Sequence, residues 1–287
     1  MDTDHITWRL DIAWRLAAQI SAFPGVQAIA VGGSVAHGYA DAYSDLEMPV
    51  FWESLPGDDT RHAVVAALGA EFLYGYDGPS LEDQLLIRGF QVDLWHATVA
   101  GEESVLDSVL HGYSTDLGDS NFMDTVRTCI PLHGEDIIRG WKERAQDYPD
   151  ALALRAIRER LPAFQTSQLA LAAQRDNPTE FYAGLSQLQQ AIFLVLLALN
   201  RAYFPTFKWM YRVLEALAVR PKDTAPRLRR AFAVPYSEAV GDMAQLLDET
   251  LTLVEQHFPQ LDTSGARRRL AYTRAAYEQP PDLLRTD

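Results

Sequence analysis

Every strand signal in this chain lies before Tyr148, so any sheet must be assembled from the first half alone. Val26–Val31 is a short β-branched apolar run broken by Gly32-Gly33-Ser34, and Leu46–Trp52 is a second run closed by Pro56-Gly57. Leu85–Arg88 and Phe90–His96 straddle Gly89 as a hairpin. Helical spacing covers 5–22, with Asp4 as N-cap, and then 58–69, 101–112, 119–128 and 135–146. After Tyr148-Pro149 only helical patterns remain, across 150–175, 179–203, 206–218, 223–233, 236–257 and 263–278. Pro178, Pro205, Pro221, Pro235 and Pro259 punctuate them near their ends. The expectation is an α+β chain, with a small mixed-sheet domain over 1–148 and an all-α helical bundle over 149–287. With 287 residues the chain is also past the ~250 at which one core usually splits.

Charge divides at the same place. Residues 1–150 hold 25 acidic and 8 basic side chains, and residues 151–287 hold 14 and 17. The net charge of −14 argues against a broad nucleic-acid surface, which needs a basic footprint. The sole cysteine, Cys129, excludes an internal disulfide and a Cys-based zinc site, and its apolar neighbours mark a buried thiol. The opening Met1-Asp2-Thr3-Asp4-His5 lacks the basic and apolar regions of a signal peptide. Ala191–Leu199, the longest apolar stretch, falls short of the ~20 residues of a membrane span and reads as a core helix. A cytoplasmic protein without a membrane partner is the expectation.

The chemistry concentrates in one constellation. Val31-Gly32-Gly33-Ser34 ends a strand in a turn whose backbone N–H groups suit phosphate oxygens. Ten residues later come Asp45 and Glu47, at i and i+2 of a strand start, where period two puts both on one face. Like charges so placed are tolerable when exposed or when a divalent cation lies between them. Carboxylate and phosphate oxygens are the usual ligands of Mg²⁺. Asp93 sits inside an otherwise apolar strand, where an isolated acid is costly unless paired or metal-bound. Arg88 is one candidate partner. The other arrangement places Asp93 beside Asp45 and Glu47, if its strand neighbours theirs, around two metal ions. His37 in the intervening loop either caps that loop or reaches phosphate, and His96 reads as structural because hard Mg²⁺ prefers oxygen.

The run Gly33-Ser34, ten residues, Asp45-x-Glu47 and then a later strand Asp93 resembles the nucleotidyltransferase superfamily typified by polymerase β and the antibiotic nucleotidyltransferases. The resemblance covers about residues 26–97, and Glu in place of the commoner second Asp lies within the family's range. A further segment, Leu199–Trp209, is similar to the second domain of antibiotic adenylyltransferases, where a lysine reaches the triphosphate. Lys208 occupies that place, in a chain whose only other lysines are Lys142 and Lys222.

The resemblance implies transfer of a nucleoside monophosphate, AMP from ATP or from another NTP, to an acceptor hydroxyl. It implies Gly33, Ser34 and Lys208 as nucleotide-binding residues. It implies Asp45, Glu47 and Asp93 as catalytic residues and ligands of two Mg²⁺ ions. Asp93 is a metal ligand in some relatives and the general base in others. The acceptor is expected to be a small molecule such as an aminoglycoside or lincosamide antibiotic, and the acidic first part suits a cationic one. The alternatives are a toxin-type enzyme acting on tRNA or protein, for which Arg227, Arg229, Arg230 and Arg267–Arg269 leave room, and a nucleotide-binding module without turnover.

Overall fold

A computed structural model describes residues 4–76 and 81–276. The chain divides into two compact units: Met1–Pro149 with Tyr203–Pro205, and Asp150–Ala202 with Thr206–Asp287.

The first unit is mixed α/β. Its helices are α1 (Thr7–Ile20), α2 (Gly33–Ala36), α3 (Asp58–Ala67), α4 (Val99–Leu110), α5 (Leu117–Thr128) and α6 (Glu135–Ala145). Its strands are β1 (Val26–Val31), β2 (Leu46–Trp52), β3 (Glu71–Tyr76), β4 (Leu81–Ile87), β5 (Phe90–Thr98) and β6 (Ile130–His133). They form one sheet in the order β3-β4-β5-β2-β1-β6. Only the central β2–β5 pair is parallel; every other neighbouring pair is antiparallel. The β4–β5 hairpin turns at Arg88-Gly89, both with positive φ (51° and 82°), a two-residue turn that matches strand twist. The sequence signals place β1 and β2 at their observed bounds, whereas β3 and β6 carry no alternation strong enough to reveal them.

Alternation along β2 and β5 gives the sheet two unlike faces. Leu46, Met48, Val50 and Trp52 join Val92 and Leu94 on one face, packed under Ala13, Leu16, Ala17 and Ile20 of α1 and Val64 and Val65 of α3. Burying side chains of this size stabilises by roughly 1.5–3 kcal/mol each, so this layer fixes which way β2 and β5 present their other residues. The opposite face carries Glu47, Pro49 and Phe51 beside Asp93, Trp95 and Ala97. Part of it is covered by an aromatic contact of Phe51 with Trp141 of α6, ring centroids 4.9 Å apart. Cys129 is buried, and burial pushes its thiol up to about 11, as an inert structural thiol requires.

The second unit is helical: α7 (Asp150–Arg160), α8 (Ser167–Gln174), α9 (Pro178–Leu199), α10 (Met210–Ala216), α11 (Thr224–Arg230), α12 (Tyr236–His257) and α13 (Ser264–Ala271). The last expected helix is shorter than its sequence pattern, and its final two positions lie outside the described residues. Among the described residues α9 alone is long and apolar enough to cross a membrane by length and composition. It is the central core helix here, with Phe181, Leu185, Ile192, Phe193, Val195 and Leu196 fully buried against its neighbours. The basic clusters are engaged in ion pairs: Arg227 with Glu249, Arg229 with Glu215, Arg230 with Glu238 and Asp242, and Arg267 with Asp248 and Glu255.

Candidate active site

The sheet register builds the centre of the site. Glu47 and Asp93 are direct partners across the parallel β2–β5 ladder, so their side chains leave the same face. Asp93 is 5% exposed, and both its carboxylate oxygens accept from Gln91 Nε2, at 3.0 and 3.3 Å. Arg88 instead stands in the exposed hairpin turn.

The glycine turn is fastened to the same place. Gly32 N–H donates to the Glu47 carbonyl at 3.0 Å, which brings Gly33 against the Glu47 side chain. Gly33 has φ +56°, and a Cβ there would clash with every atom of the Glu47 carboxyl group. The left-handed backbone favours glycine, and any larger residue would also push the Glu47 carboxyl group aside. Ser34 follows in the short α2 and is buried. His37, just after α2, pairs with Asp124 of α5 at 2.9 Å and stacks on Tyr39, so it braces the loop.

Asp45 stands immediately before β2, two residues ahead of Glu47. Its Oδ1 is buried and has no hydrogen-bond partner among the described residues. The loop before it is held by Arg9, which sequence reasoning missed. Arg9 is 1% exposed and donates to the backbone carbonyls of His5 (2.7 Å), Asp41 (2.8 Å) and Ser44 (3.1 Å from Nε). Its guanidinium lies 4.0 Å over the Trp8 ring. Burial lowers its pKa, and the charges of Asp41 and Asp45 oppose that shift. No local pattern could reveal its role, because Asp41 and Ser44, whose carbonyls it holds in the loop before Asp45, lie more than thirty residues away.

These residues suit a divalent cation. Glu47 and Asp93 leave one face together, and the buried Asp45 oxygen, without a partner among the described residues, is costly as it stands. Mg²⁺ typically takes one or two protein carboxylates and completes its shell with substrate phosphates and water. Among the described residues no three of His, Cys, Asp and Glu cluster closely enough to hold a metal by themselves. The structure thus brings together Gly33, Glu47 and Asp93, with Asp45 at the entry of β2.

His96 belongs to a buried chain on the other face. Trp52 Nε1 can only donate, so His96 Nδ1 accepts (3.0 Å) and His96 Nε2 donates to Asp83 Oδ2 (3.1 Å). Arg61 forks onto both Asp83 oxygens. Burial pushes the Asp83 carboxyl up, but the hydrogen bonds from His96 and Arg61 prevail and hold it below the usual carboxylate range.

One step along the ladder from the carboxylate pair, Pro49 and Trp95 open a cavity of about 680 Å³ that extends to Phe122 of α5 and to Glu102 of α4. Lys208 lies in the second unit, exposed, on a turn (Phe207–Trp209) whose Lys208 N–H is capped by Thr206 Oγ1 at 3.2 Å. Its ammonium is 5.6 Å from the Trp209 ring centre. The helix expected from residue 206, with an apolar stripe of Phe207, Met210, Leu214 and Leu217, starts only at Met210: the last three are buried, whereas Phe207 lies on the preceding turn and is half-buried.

A family model described as a domain of unknown function (DUF4037) matches residues 120–210, about a third of the chain, from α5 to the start of α10. No curated protein matches. Among solved structures, the chain is similar to a nucleotidyltransferase-like protein from Exiguobacterium sibiricum 255-15, at 12% identity and a TM-score of 0.37, over 86% of this chain and 78% of that one. It is also similar to a CCA-adding enzyme in complex with CTP, at 13% identity and a TM-score of 0.32, over 94% and 81%. Likeness at this level assigns no activity, which has to be argued from the residues themselves.

Proposed function

We propose that the protein is a metal-dependent nucleotidyltransferase that moves a nucleoside monophosphate, AMP from ATP, onto the hydroxyl of a small acceptor. The observation that carries this reading is the Glu47–Asp93 pair in register, with Gly33 pressed against Glu47. It joins a phosphate-binding turn to two carboxylates through one backbone hydrogen bond.

In this reading the acceptor oxygen attacks the α-phosphorus and the bond to pyrophosphate breaks. Gly33 and Ser34 hold the β- and γ-phosphates through backbone N–H groups. Glu47 and Asp93, with Asp45 at the entry of β2, would hold Mg²⁺ together with phosphate oxygens and water, and the ion would supply charge neutralisation at the phosphates. Asp93, the most enclosed of the three, also lies where the acceptor's proton can be taken. Arg9 acts through others, since it touches backbone only and fixes the loop that ends at Asp45. Hydroxyl-bearing antibiotics of the aminoglycoside and lincosamide classes are the first acceptors to test. A small acceptor is favoured over RNA because the arginines of α11 and Arg267 are already paired with acids.

The deciding experiment is pyrophosphate release from each NTP with Mg²⁺ across a panel of hydroxyl-bearing amines, with extracted RNA and protein as separate arms. Release that depends on a small acceptor and vanishes in Asp93→Asn supports the reading. Label transfer from α-labelled NTP into RNA or protein favours a macromolecular acceptor. NTP binding with no turnover in any arm makes this a nucleotide-binding module.

A further inference from the structure

The cavity beside the carboxylate pair has a chemistry of its own. Its walls are largely apolar, with Pro49, Phe51 and Trp95 from the sheet and Val105 and Phe122 from the helices. Trp95 is 38% exposed on a central strand, an unusual place to leave an indole uncovered. Its polar end holds Glu102, Asp116 and Asp119, and among the described residues lining it there is no lysine or arginine.

The three acids are not equivalent. Asp116 is the N-cap of α5, accepting from Gly118 and Asp119 N–H, so the helix end occupies its charge. Asp119 accepts from Ser114 Oγ at 2.8 Å. Glu102 makes no hydrogen bond among the described residues, and its recorded electrostatic neighbour is the like charge of Asp119. Burial and then Asp119 push the Glu102 carboxyl up to about 7. A carboxyl in that position gains from a cation brought by a ligand.

We infer that this cavity binds a hydroxyl-bearing organic cation, its ring against Trp95, Phe51 and Phe122 and its ammonium on Glu102 and Asp119. Aromatic faces favour a cation and an apolar ring alike. A cavity of about 680 Å³ accommodates a compact molecule rather than a chain. Of the aminoglycoside and lincosamide classes, a polycationic aminoglycoside would set most of its charges against Pro49, Phe51 and Val105, so the cavity favours the lincosamide type, one ammonium on an apolar body. Glu47 and Asp93 are the next same-face positions along the strands, roughly 7 Å from Pro49 and Trp95. A hydroxyl at the far end of such a ligand therefore points at the proposed reaction centre. The inference deepens the nucleotidyltransferase reading by naming its acceptor class, and that last step rests on it.

Binding is tested on the full chain without nucleotide, using a matched pair of probes with a hydroxymethyl group at the far end of the ring, 4-(2-aminoethyl)benzyl alcohol and its neutral diol analogue 4-(2-hydroxyethyl)benzyl alcohol. Ligand-observed NMR titration gives the two affinities. The amine is expected to bind at least about tenfold more tightly than the diol, which corresponds to ~1.4 kcal/mol. Glu102→Gln and Asp119→Asn should each remove most of that preference, and Trp95→Ala should weaken both probes. Thermal melting of each variant separates loss of binding from loss of fold. Equal affinity for amine and diol, an unchanged preference in folded Glu102→Gln, or no binding of either probe overturns the inference. Pyrophosphate release is measured separately. Amine-selective binding with no turnover in any NTP overturns the reaction and leaves the cavity, while turnover without amine selectivity does the reverse.

Discussion

Glu47 and Asp93 stand opposite each other across the only parallel pair in the sheet and project from the same face. A divalent cation is a natural occupant beside two carboxylates so placed. Glu47→Gln and Asp93→Asn should each lower kcat for NTP-dependent transfer by a factor of about 100 or more, the loss expected when several kcal/mol of transition-state stabilisation disappears. Mg²⁺ should raise the wild-type melting temperature, and that rise should shrink in both variants. A variant that keeps the full Mg²⁺-dependent rise and full turnover would rule out this pair as the metal site.

Gly33→Ala tests the close approach of the turn. The added methyl meets the Glu47 carboxyl group, and the φ of +56° costs a further ~1 kcal/mol or more for any residue with a Cβ. NTP affinity and turnover should both fall at least tenfold while the circular dichroism spectrum is retained. Wild-type kinetics in Gly33→Ala would place the phosphates elsewhere.

Arg9→Met keeps the stem and removes the donors. The carbonyls of His5, Asp41 and Ser44 lose their partner, and a buried acceptor left unpaired costs about 1–3 kcal/mol. Some of those carbonyls gain water, so a net loss of about 2–4 kcal/mol in urea unfolding is expected. Arg9→Lys should recover only part of it, since one ammonium cannot reach all three carbonyls. Equal stability of Arg9→Met and wild type would remove the role of Arg9 in holding the Asp45 loop.

The raised Glu102 carboxyl makes a pH prediction. Its value of about 7 in the folded protein lies above the ordinary 4.5, so between those limits the folded state binds more protons than the unfolded one. By linkage, this group's contribution to stability decreases as pH rises through that window, and the full cost of ionising it is present above about 7. Glu102→Gln removes the cost, so its melting temperature should exceed that of wild type by several degrees at pH 8 and match it near pH 4.5. An equal difference at both pH values would mean that Glu102 is not the group responsible.

Much of this was legible in the residue order because it depends on local rules. β-branched runs set β1 and β2, Arg88-Gly89 set the hairpin, and proline placement set the ends of α9 and α12. Gly33, Glu47 and Asp93 were visible as residue types that only a special site tolerates at those spacings. What remained hidden involves partners distant in sequence. Arg9 is joined to Ser44 by nothing periodic, and Arg61 meets Asp83 only because α3 lies over β4. The edge strand β6 lacks a clear alternation because none of its residues is fully buried.

By itself, the sequence determined a sheet confined to the first half, helices beyond Pro149, and the acids available for chemistry. Those follow from backbone preferences and hydrophobic period, which act over a few residues. Only the tertiary structure decided that β5 lies parallel beside β2 in the register that sets Asp93 against Glu47, and that Asp45 falls outside it. It also decided that a cavity with an unpartnered Glu102 opens next to that pair. Register is fixed by the apolar face packed under α1 and α3, a long-range burial that no short stretch of sequence encodes.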